Sequence, residues 1–201
     1  DAARLRTLRA LQLAPRIEPD AMLDGLVRVA AQALNCPAAA ISWIDDERQW
    51  VQAALGLPWH EAAREHTLCS HTIAGSGLME VSDAQADARF AEHPLVAGDG
   101  PIRFYAGLPI GLPGQALGTL CVIDRKPRTL SPAQRGVLAD LARAVEHWLL
   151  RRREQLAQER EQAWLRKVSA AVEQASEAIV ITDLDARIEH VNDAALRASG
   201  Y

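Results

Sequence analysis

The chain has 201 residues, which is enough for one well-buried domain and part of a second. It is 49% hydrophobic but only 4% aromatic, so aliphatic side chains must fill most of the core. The net charge of −4 leaves no overall positive field of the kind that holds nucleic acid, which excludes that class of partner.

The three cysteines, Cys36, Cys69 and Cys121, lie in apolar surroundings. An odd number of such cysteines indicates reduced thiols rather than a disulfide framework. No apolar run reaches the roughly 18 to 20 residues of a membrane span, and no signal peptide opens the chain. We therefore expect a cytoplasmic protein with no membrane segment. Because it starts at Asp1 without a methionine and stops without a closing element, we also expect a piece of a longer chain.

Two helices are predicted at the start of the chain. Leucines at near-helical spacing predict an amphipathic helix within residues 1–14, with Leu8 and Leu11 among its apolar residues. Asp20 is then placed to cap a second helix, which ends before Pro37.

From residue 38 the pattern changes to short apolar runs bounded by turn residues, which predict five strands. The runs are AAAISWI, QWVQAALG, LMEVSDA, IRFYAGLPIGL and ALGTLCVID. Two of them are apolar at successive positions, so both faces of the sheet should be covered by helices. Residues 61–77, between the second and third strands, predict a helix ending in glycines. The connection between the third and fourth strands leaves room for one short helix at most.

A long helix is predicted over residues 132–175. Ser131 provides the N-cap and Pro132 the first helical residue. Apolar residues then repeat with the four-and-three spacing of a coiled-coil seam, at Leu138, Leu141, Val145 and Trp148. After a charged stretch over 151–166 the seam returns out of phase, at Trp164 and Val168. Such a helix would span about 66 Å, more than a compact domain of this size can bury.

The tail, residues 176–201, predicts a strand, an Asp-rich turn, a second strand and a helix capped at Asn192. A hairpin and one helix are too small to hold a core of their own.

Several motifs together resemble a GAF domain of bacterial signalling proteins, over about residues 20–150. They are the cluster of Asp83, Asp87 and Arg89-Phe90, the run Arg103-Phe104-Tyr105-Ala106-Gly107, and the sequence GTLCVID at 118–124. The tail, with AIVITDLDARIEHVNDAA and the closing Gly200-Tyr201, resembles the start of a PAS domain. The resemblance implies an α+β fold: a GAF-like antiparallel sheet of about five strands with helices on both faces, then a signalling helix and a truncated PAS domain.

The resemblance also implies a function. GAF and PAS domains in this order are typical of the input region of a modular sensor, whose output is a histidine kinase or a cyclic di-GMP synthase or phosphodiesterase elsewhere in the protein. The fragment itself is then not an enzyme: it binds a small effector, relays a signal through a dimeric helix, or does both. Free methionine sulfoxide reductases share the GAF fold and use cysteines. A thiol enzyme using Cys69 or Cys121 is therefore the alternative, and its thiolate would need a positive neighbour.

Arg103 is the first candidate site residue, because an arginine inside a covered sheet needs a partner for its charge. Its available partners are three carboxylates, Asp83, Asp87 and Asp124. Such a pairing, together with Arg89, would fix the loop over 82–100; direct contact with a ligand is the other interpretation, and both stay open. The GAF resemblance implies that this loop covers a ligand pocket. The candidate ligand-binding residues are Phe90, His93, Arg103, Tyr105, Cys69 and Cys121.

The sequence does not identify a cofactor. Cys69-Ser70-His71 suggests metal or redox chemistry, but no CxxC or HxxxH spacing supports zinc. Bilin attachment in photoreceptor GAF domains commonly uses a cysteine followed directly by histidine, whereas Ser70 intervenes here. A lone histidine is more often a hydrogen-bonded surface or core residue than a haem ligand. We therefore predict no metal, haem or bilin.

The long helix predicts a partner. Trp148 and Trp164 are large apolar groups on a helix that extends beyond the domain, and a second copy of the chain is the simplest cover for them. We predict a parallel homodimer that the first helix joins, with a phase change near Arg152 that allows two packings. The expected interface residues are Leu8, Leu11, Leu138, Leu141, Val145, Trp148, Leu156, Trp164 and Val168.

Overall fold

A computed structural model describes residues 1–14, 18–98 and 101–200 of the chain. The last two residues of the predicted 82–100 loop and the terminal Tyr201 therefore lie outside the described residues. The chain forms two compact units, residues 1–152 and residues 153–201.

The first unit contains helices and the strands of one sheet. Its helices are α1 (Ala2–Ala10), α2 (Ala21–Ala33), α3 (Leu68–Ala74), α4 (Pro94–Ala97) and the first part of α5 (Pro132–Glu173). Its strands are β1 (Ala38–Ile44), β2 (Arg48–Leu55), β3 (Glu61–Ala63), β4 (Met79–Val81), β5 (Phe104–Leu112) and β6 (Gln115–Asp124).

The strands form an antiparallel sheet in the order β3-β2-β1-β6-β5-β4. The predicted class, an antiparallel sheet with helices on both faces, is confirmed, although the described residues contain six strands in this sheet rather than five. The extra strand, β3, lies where a helix was predicted over 61–77. That prediction was too long: a short 3-10 turn follows β3, and α3 occupies only Leu68–Ala74.

The two faces of the sheet carry different layers. Side chains alternate along a strand, and Ala38, Ala40 and Ile44 of β1 belong to the buried cluster beneath α3. Trp43 points the other way and is fully buried. Its ring stacks on Trp148 of α5, with the ring centroids 6.2 Å apart and the planes inclined by 12°. The first part of α5 therefore covers the face opposite α3.

Side chains cap the helices as the sequence predicts. The carboxylate of Asp20 accepts hydrogen bonds from the backbone N–H groups of Met22 and Leu23, at 2.9 and 3.1 Å. Its other oxygen accepts a hydrogen bond from the Trp148 indole at 3.0 Å, which joins α2 to α5. At the start of α5, Ser131 and Gln134 exchange side-chain to backbone hydrogen bonds, forming a capping box.

Four residues of the predicted dimer seam are buried within their own chain. Leu8 and Leu11 are 1% and 3% exposed, and Leu138 and Val145 are fully buried. All four lie in the first unit, and a side chain buried within its own chain has no surface to offer a second copy.

The other seam residues differ in exposure. Leu141 and Trp148 are half-buried, and Leu156 is buried. Trp164 and Val168 are exposed by 66% and 41%. These last two therefore remain candidates for an interface.

The second unit holds the end of α5 and the predicted tail elements: β7 (Val180–Thr182), β8 (Ile188–Val191) and α6 (Asp193–Ser199). Asn192 organises them. Its side-chain oxygen accepts from the N–H groups of Ala195 and Ile179, and its amide donates to the carbonyls of Val172 and Glu177. The predicted cap at Asn192 is confirmed.

Among the helices of the described residues, none has the length and apolarity to cross a membrane.

Candidate functional site

A small cavity lies between α3 and the sheet. Its volume is about 20 Å³, which is room for one water molecule. The polar part of its wall consists of Gln49, Thr67, Cys69, Tyr105 and Cys121. The apolar part includes Leu57, Trp59, Leu95, Ile102 and Ile123.

A larger cleft of about 360 Å³ lies next to this cavity. Leu57, Trp59, Ile102 and Ile123 line both spaces and therefore separate them. Leu57 and Trp59 are half-buried residues of the connection between β2 and β3. A shift of these two side chains would join the inner cavity to the cleft.

Two thiols and a phenol meet in the cavity wall. The sulfur atoms of Cys69, on α3, and Cys121, on β6, are 3.9 Å apart. The Tyr105 hydroxyl donates to Cys69 Sγ at 3.5 Å and shares a hydrogen bond of 2.7 Å with the hydroxyl of Thr72. The Tyr105 ring lies over Gly107. A Cβ at residue 107 would be 2.7 Å from the ring carbon Cζ, which is too close, so only glycine fits beneath the ring without a shift.

This arrangement makes the two thiols unequal. Hydrogen bonds to Cys69, chiefly that with Cys121, outweigh the effect of burial and lower the pKa of Cys69 to about 7. The same hydrogen bond and burial raise the pKa of Cys121 well above that of an ordinary thiol. Burial also raises the pKa of Tyr105. Cys69 is therefore the thiol of the pair that ionises first, with Tyr105 and Cys121 kept protonated as donors.

The side-chain oxygen of Gln49, a residue of the cavity wall, is buried without a partner among the described residues. Gln49 donates through Nε2 to the Ser42 hydroxyl at 3.0 Å, but its Oε1 accepts no hydrogen bond within the described part of the chain. The hydroxyl of Thr119, on β6, is also buried, and it helps to lower the pKa of Cys69. Leaving a buried polar group unpaired costs about 1–3 kcal/mol. A small molecule with a hydrogen-bond donor would satisfy Gln49 Oε1.

Residues 82–98 form the segment that covers this region, called the covering segment below, and Arg103 holds it in place. Its guanidinium donates two hydrogen bonds to the Asp83 carboxylate, Nε to Oδ1 at 2.8 Å and Nη2 to Oδ2 at 2.6 Å. These hydrogen bonds lower the pKa of Asp83. Asp124 pairs with Arg128 instead, although its backbone carbonyl accepts from Arg103 N at 2.9 Å. Arg103 thus links the beginning of the loop to the start of β5 and the end of β6.

The remaining loop candidates pack against one another. Phe90 is fully buried and meets the His71 ring edge-on, with the centroids 5.0 Å apart. Arg89 lies over the Phe90 ring at 4.9 Å and pairs with Asp87 at 2.7 Å.

His93 caps α4. Its Nδ1 accepts from Leu95 N at 3.2 Å, while its Nε2 is buried with no partner in the described ranges. Burial lowers the pKa of His93. Of the six predicted ligand-binding residues, the structure brings Cys69, Tyr105 and Cys121 together in the cavity wall and places Phe90 and His93 in the covering segment. Arg103 lies after that segment, next to β5, and pairs with Asp83.

Sequence reasoning missed Gln49 and Thr119. Both are polar residues inside otherwise apolar strands, in RQWVQAAL and GTLCVI. That isolated polarity was the available signal, since a buried strand position rarely carries an amide or hydroxyl without a partner.

Across the described residues, no three His, Cys, Asp or Glu side chains cluster so as to hold a metal ion.

The edge of the sheet is connected to the start of α5. One carboxylate oxygen of Glu80, on β4, accepts from Leu130 N at 2.9 Å, and the other accepts from Arg135 Nε at 2.9 Å. Nearby, Arg128 N donates to the Ser82 carbonyl at 3.0 Å. The residues where the covering segment begins therefore contact the residues where the long helix begins.

Comparison with known proteins agrees with this architecture. The GAF domain model matches residues 18–147, and a PAS domain model matches residues 166–201. A cyclic di-GMP phosphodiesterase of Pseudomonas aeruginosa is 40% identical over 128 residues, which are 63% of this chain and 22% of that protein. The chain thus spans about a fifth of the length of this curated relative.

Two solved structures share the fold. The GAF domain of an Acinetobacter phosphoenolpyruvate-protein phosphotransferase has a TM-score of 0.57 at 21% identity, over 75% of this chain and 95% of that one. A free methionine-R-sulfoxide reductase from Neisseria meningitidis has a TM-score of 0.55 at 18% identity, over 76% and 89%. The chain belongs to the GAF domain family and continues into a PAS segment, the domain pair of a signalling sensor module.

Proposed function

We propose that this chain is the regulatory input region of a bacterial cytoplasmic signalling protein and is not itself an enzyme. The observation that carries the proposal is the polar wall of the cavity beneath α3, where Gln49 Oε1 is buried and unpaired in the described part of the chain. Buried polar atoms are normally paired, and Gln49 lines a space where one donor group fits. We infer that the donor group of a small effector takes this place.

The size of the cavity defines how an effector would enter. At about 20 Å³ it admits only a water-sized group in this state. An effector would place its donor there and its body in the adjoining 360 Å³ cleft, displacing Leu57 and Trp59. Binding would therefore act on the sheet edge and on the covering segment held by Arg103.

The signal would leave through α5. Glu80 and Ser82 contact the residues from Arg128 to Arg135, so a shift of β4 reaches the start of the helix directly. We propose that α5 pairs with α5 of a second copy in a parallel homodimer through Trp164 and Val168, which are exposed. A coiled coil of this kind transmits small rotations or shifts between domains.

We propose cyclic di-GMP turnover as the output, because the P. aeruginosa relative is named as a cyclic di-GMP phosphodiesterase. A cyclic di-GMP synthase or a two-component histidine kinase is the other output compatible with a GAF and PAS input region. The match covers 22% of the relative, so the proposed output would lie outside the residues that the two sequences share.

The thiol pair supports one alternative, an enzyme of the free methionine sulfoxide reductase kind. Cys69 has a lowered pKa of about 7 and a second thiol at 3.9 Å, as a thiol-dependent reduction requires. Methionine sulfoxide, like any effector larger than water, would reach Cys69 only after Leu57 and Trp59 shift to open the cavity to the adjoining cleft. Turnover of free methionine sulfoxide by the purified chain would favour this alternative.

The test uses the full-length protein and the small-molecule ultrafiltrate of a bacterial lysate as the probe. Cyclic di-GMP hydrolysis and synthesis are measured with and without the ultrafiltrate, for the wild type and for Gln49→Leu. We expect the ultrafiltrate to change turnover in the wild type and to have no effect on Gln49→Leu, while Gln32→Leu on the exposed side of α2 behaves as wild type. An equal response in the wild type and Gln49→Leu would refute the proposed site.

A further inference from the structure

We propose that Cys69 and Cys121 form an oxidisable dithiol, which hydrogen peroxide converts to a disulfide bond between α3 and β6. The inference goes beyond the proposed function, because it requires no effector in the cavity and no output domain. The experiment on the dithiol can therefore fail while the proposed function holds, and the reverse.

The two cysteines are close enough to form a disulfide bond after a small shift. Their sulfur atoms are 3.9 Å apart, although the residues are 52 positions apart in the sequence. A disulfide bond is about 2.05 Å long, so the sulfur atoms must approach by about 1.9 Å. Both residues belong to packed elements of the same unit, so the pair comes together whenever this unit is folded.

Access to the pair is selective. Cys69 and Cys121 both face the cavity of about 20 Å³, which holds one water-sized molecule. Hydrogen peroxide is only slightly larger than water and can reach it past Leu57 and Trp59. Glutathione disulfide is a hexapeptide-sized reagent that cannot. The site therefore distinguishes oxidants by size.

The surroundings of Cys69 favour its thiolate. Tyr105 donates a hydrogen bond to Cys69 Sγ at 3.5 Å, and once Cys69 is ionised the Cys121 thiol, 3.9 Å away, donates a second. The pKa of about 7 agrees with this geometry. Cys36 provides the contrast: it is buried, donates to the Leu34 carbonyl at 3.6 Å, and its pKa is raised to about 11.

The reaction balances in two steps. The Cys69 thiolate attacks one peroxide oxygen, the O–O bond breaks, and Cys69 becomes a sulfenic acid as hydroxide leaves. The Cys121 sulfur then attacks Cys69 Sγ, the S–O bond breaks, and the disulfide forms. The two thiols lose two electrons and two protons in total, and the peroxide is reduced to two molecules of water.

The product would fasten α3 to the central part of the sheet. Cys121 pairs with Gly107 and Ala40 on the neighbouring strands, in the floor of the cavity. A bond from Cys69 to this floor would close the inner end of the cavity. Oxidation would thus change the same wall that the proposed effector uses.

Thiol counting by mass spectrometry tests the inference on the purified chain, alkylated under denaturing conditions before and after peroxide. The chain has three free cysteines, so we expect three alkylated thiols before treatment and, with two consumed, one afterwards. Cys36→Ser should fall from two to none. Cys69→Ser should keep two, whereas Cys121→Ser should keep only Cys36 and carry one added oxygen on Cys69, without a disulfide.

Peptide mapping of the oxidised wild type needs no variant, so it stands even if a serine variant fails to fold. We expect the Cys69 and Cys121 peptides to be linked within one chain and Cys36 to stay alkylated. Three alkylated thiols after peroxide, or a linkage that includes Cys36, would overturn the proposal. Oxidation by glutathione disulfide as readily as by peroxide would overturn the argument from cavity size.

Discussion

Arg103 and Asp83 form a two-point ion pair, with N···O distances of 2.8 and 2.6 Å, at the start of the segment that covers the cavity. Backbone hydrogen bonds reinforce it, from Ala84 N to the Arg103 carbonyl at 2.7 Å and from Arg103 N to the Asp124 carbonyl at 2.9 Å. The pair therefore fixes where this segment leaves the sheet.

We expect Asp83→Asn to destabilise the protein at neutral pH and to have a smaller effect in acid. The pKa of Asp83 is lowered in the folded state by the hydrogen bonds from Arg103. Such a carboxylate stabilises the fold above its unfolded pKa of about 3.9, and this stabilisation is lost as the pH falls through the folded value. Urea unfolding at pH 7 and near pH 3 measures the difference.

Arg103→Lys is the matched variant, because it keeps the charge but cannot make the two-point contact. We expect it to increase proteolytic cleavage within 82–98 at neutral pH. Cleavage at the wild-type rate would show that the ion pair does not hold the segment.

The contact between Gly107 and Tyr105 leads to a second prediction. A Cβ at residue 107 would overlap the Tyr105 hydroxyl and ring, so we expect Gly107→Ala to cost about 1–3 kcal/mol of unfolding free energy. Gly136 is the control, since an added Cβ there meets nothing within 4 Å and the residue lies in α5. Gly136→Ala should stabilise by about 0.5–1 kcal/mol. Equal effects at the two glycines would contradict the packing of Tyr105.

His93 predicts a loss of stability in mild acid. Burial lowers its pKa in the folded state, so the unfolded state binds the proton more readily. Stability should therefore fall as the pH drops below the unfolded value of about 6.5 and level off below the folded pKa.

His93→Asn tests this, because asparagine can still accept the hydrogen bond of Leu95 N but does not titrate. We expect the dependence of the unfolding free energy between pH 5 and pH 7 to become shallower in this variant. His147→Asn, on the exposed side of α5, serves as the control. An unchanged pH dependence in His93→Asn would contradict the prediction.

Leu138 and Trp164 lie on the same helix but should act on different properties. Leu138 is fully buried, so Leu138→Ala should cost about 2–5 kcal/mol without separating a dimer. Trp164 is 66% exposed, so Trp164→Ala should shift the proposed dimer towards monomer and change the unfolding free energy of the GAF unit by about 0.5 kcal/mol at most. Light scattering and urea unfolding measure both. A Leu138→Ala variant that is monomeric and as stable as the wild type would show that Leu138 belongs to the dimer interface.

Local signals in the sequence predicted the helix starts correctly. Asp20, Ser131 and Asn192 each cap a helix through hydrogen bonds to residues two or three positions away, so neighbouring sequence determines them. The strand β3 was missed because its three residues, Glu61–Ala63, have little strand preference. They are extended because they pair with β2, and that pairing depends on the tertiary fold.

Two other features needed the structure. The spacing of Leu138 and Val145 is the same for a coiled-coil seam and for a helix packed on its own sheet, so periodicity could not assign them to the core. The site depends on which strand positions face α3. Gln49 and Thr119 reach it only through the register of β2, β1 and β6, which short sequence patterns do not specify.

The central claim is that the GAF unit binds a small molecule in the space between α3 and the sheet. Native mass spectrometry of the chain, purified gently and then incubated with the bacterial ultrafiltrate, tests it most directly. We expect an added non-covalent mass that is present in the wild type and in Gln32→Leu and lost in Gln49→Leu. The same adduct on Gln49→Leu, or bare chain mass in every sample, would contradict the claim.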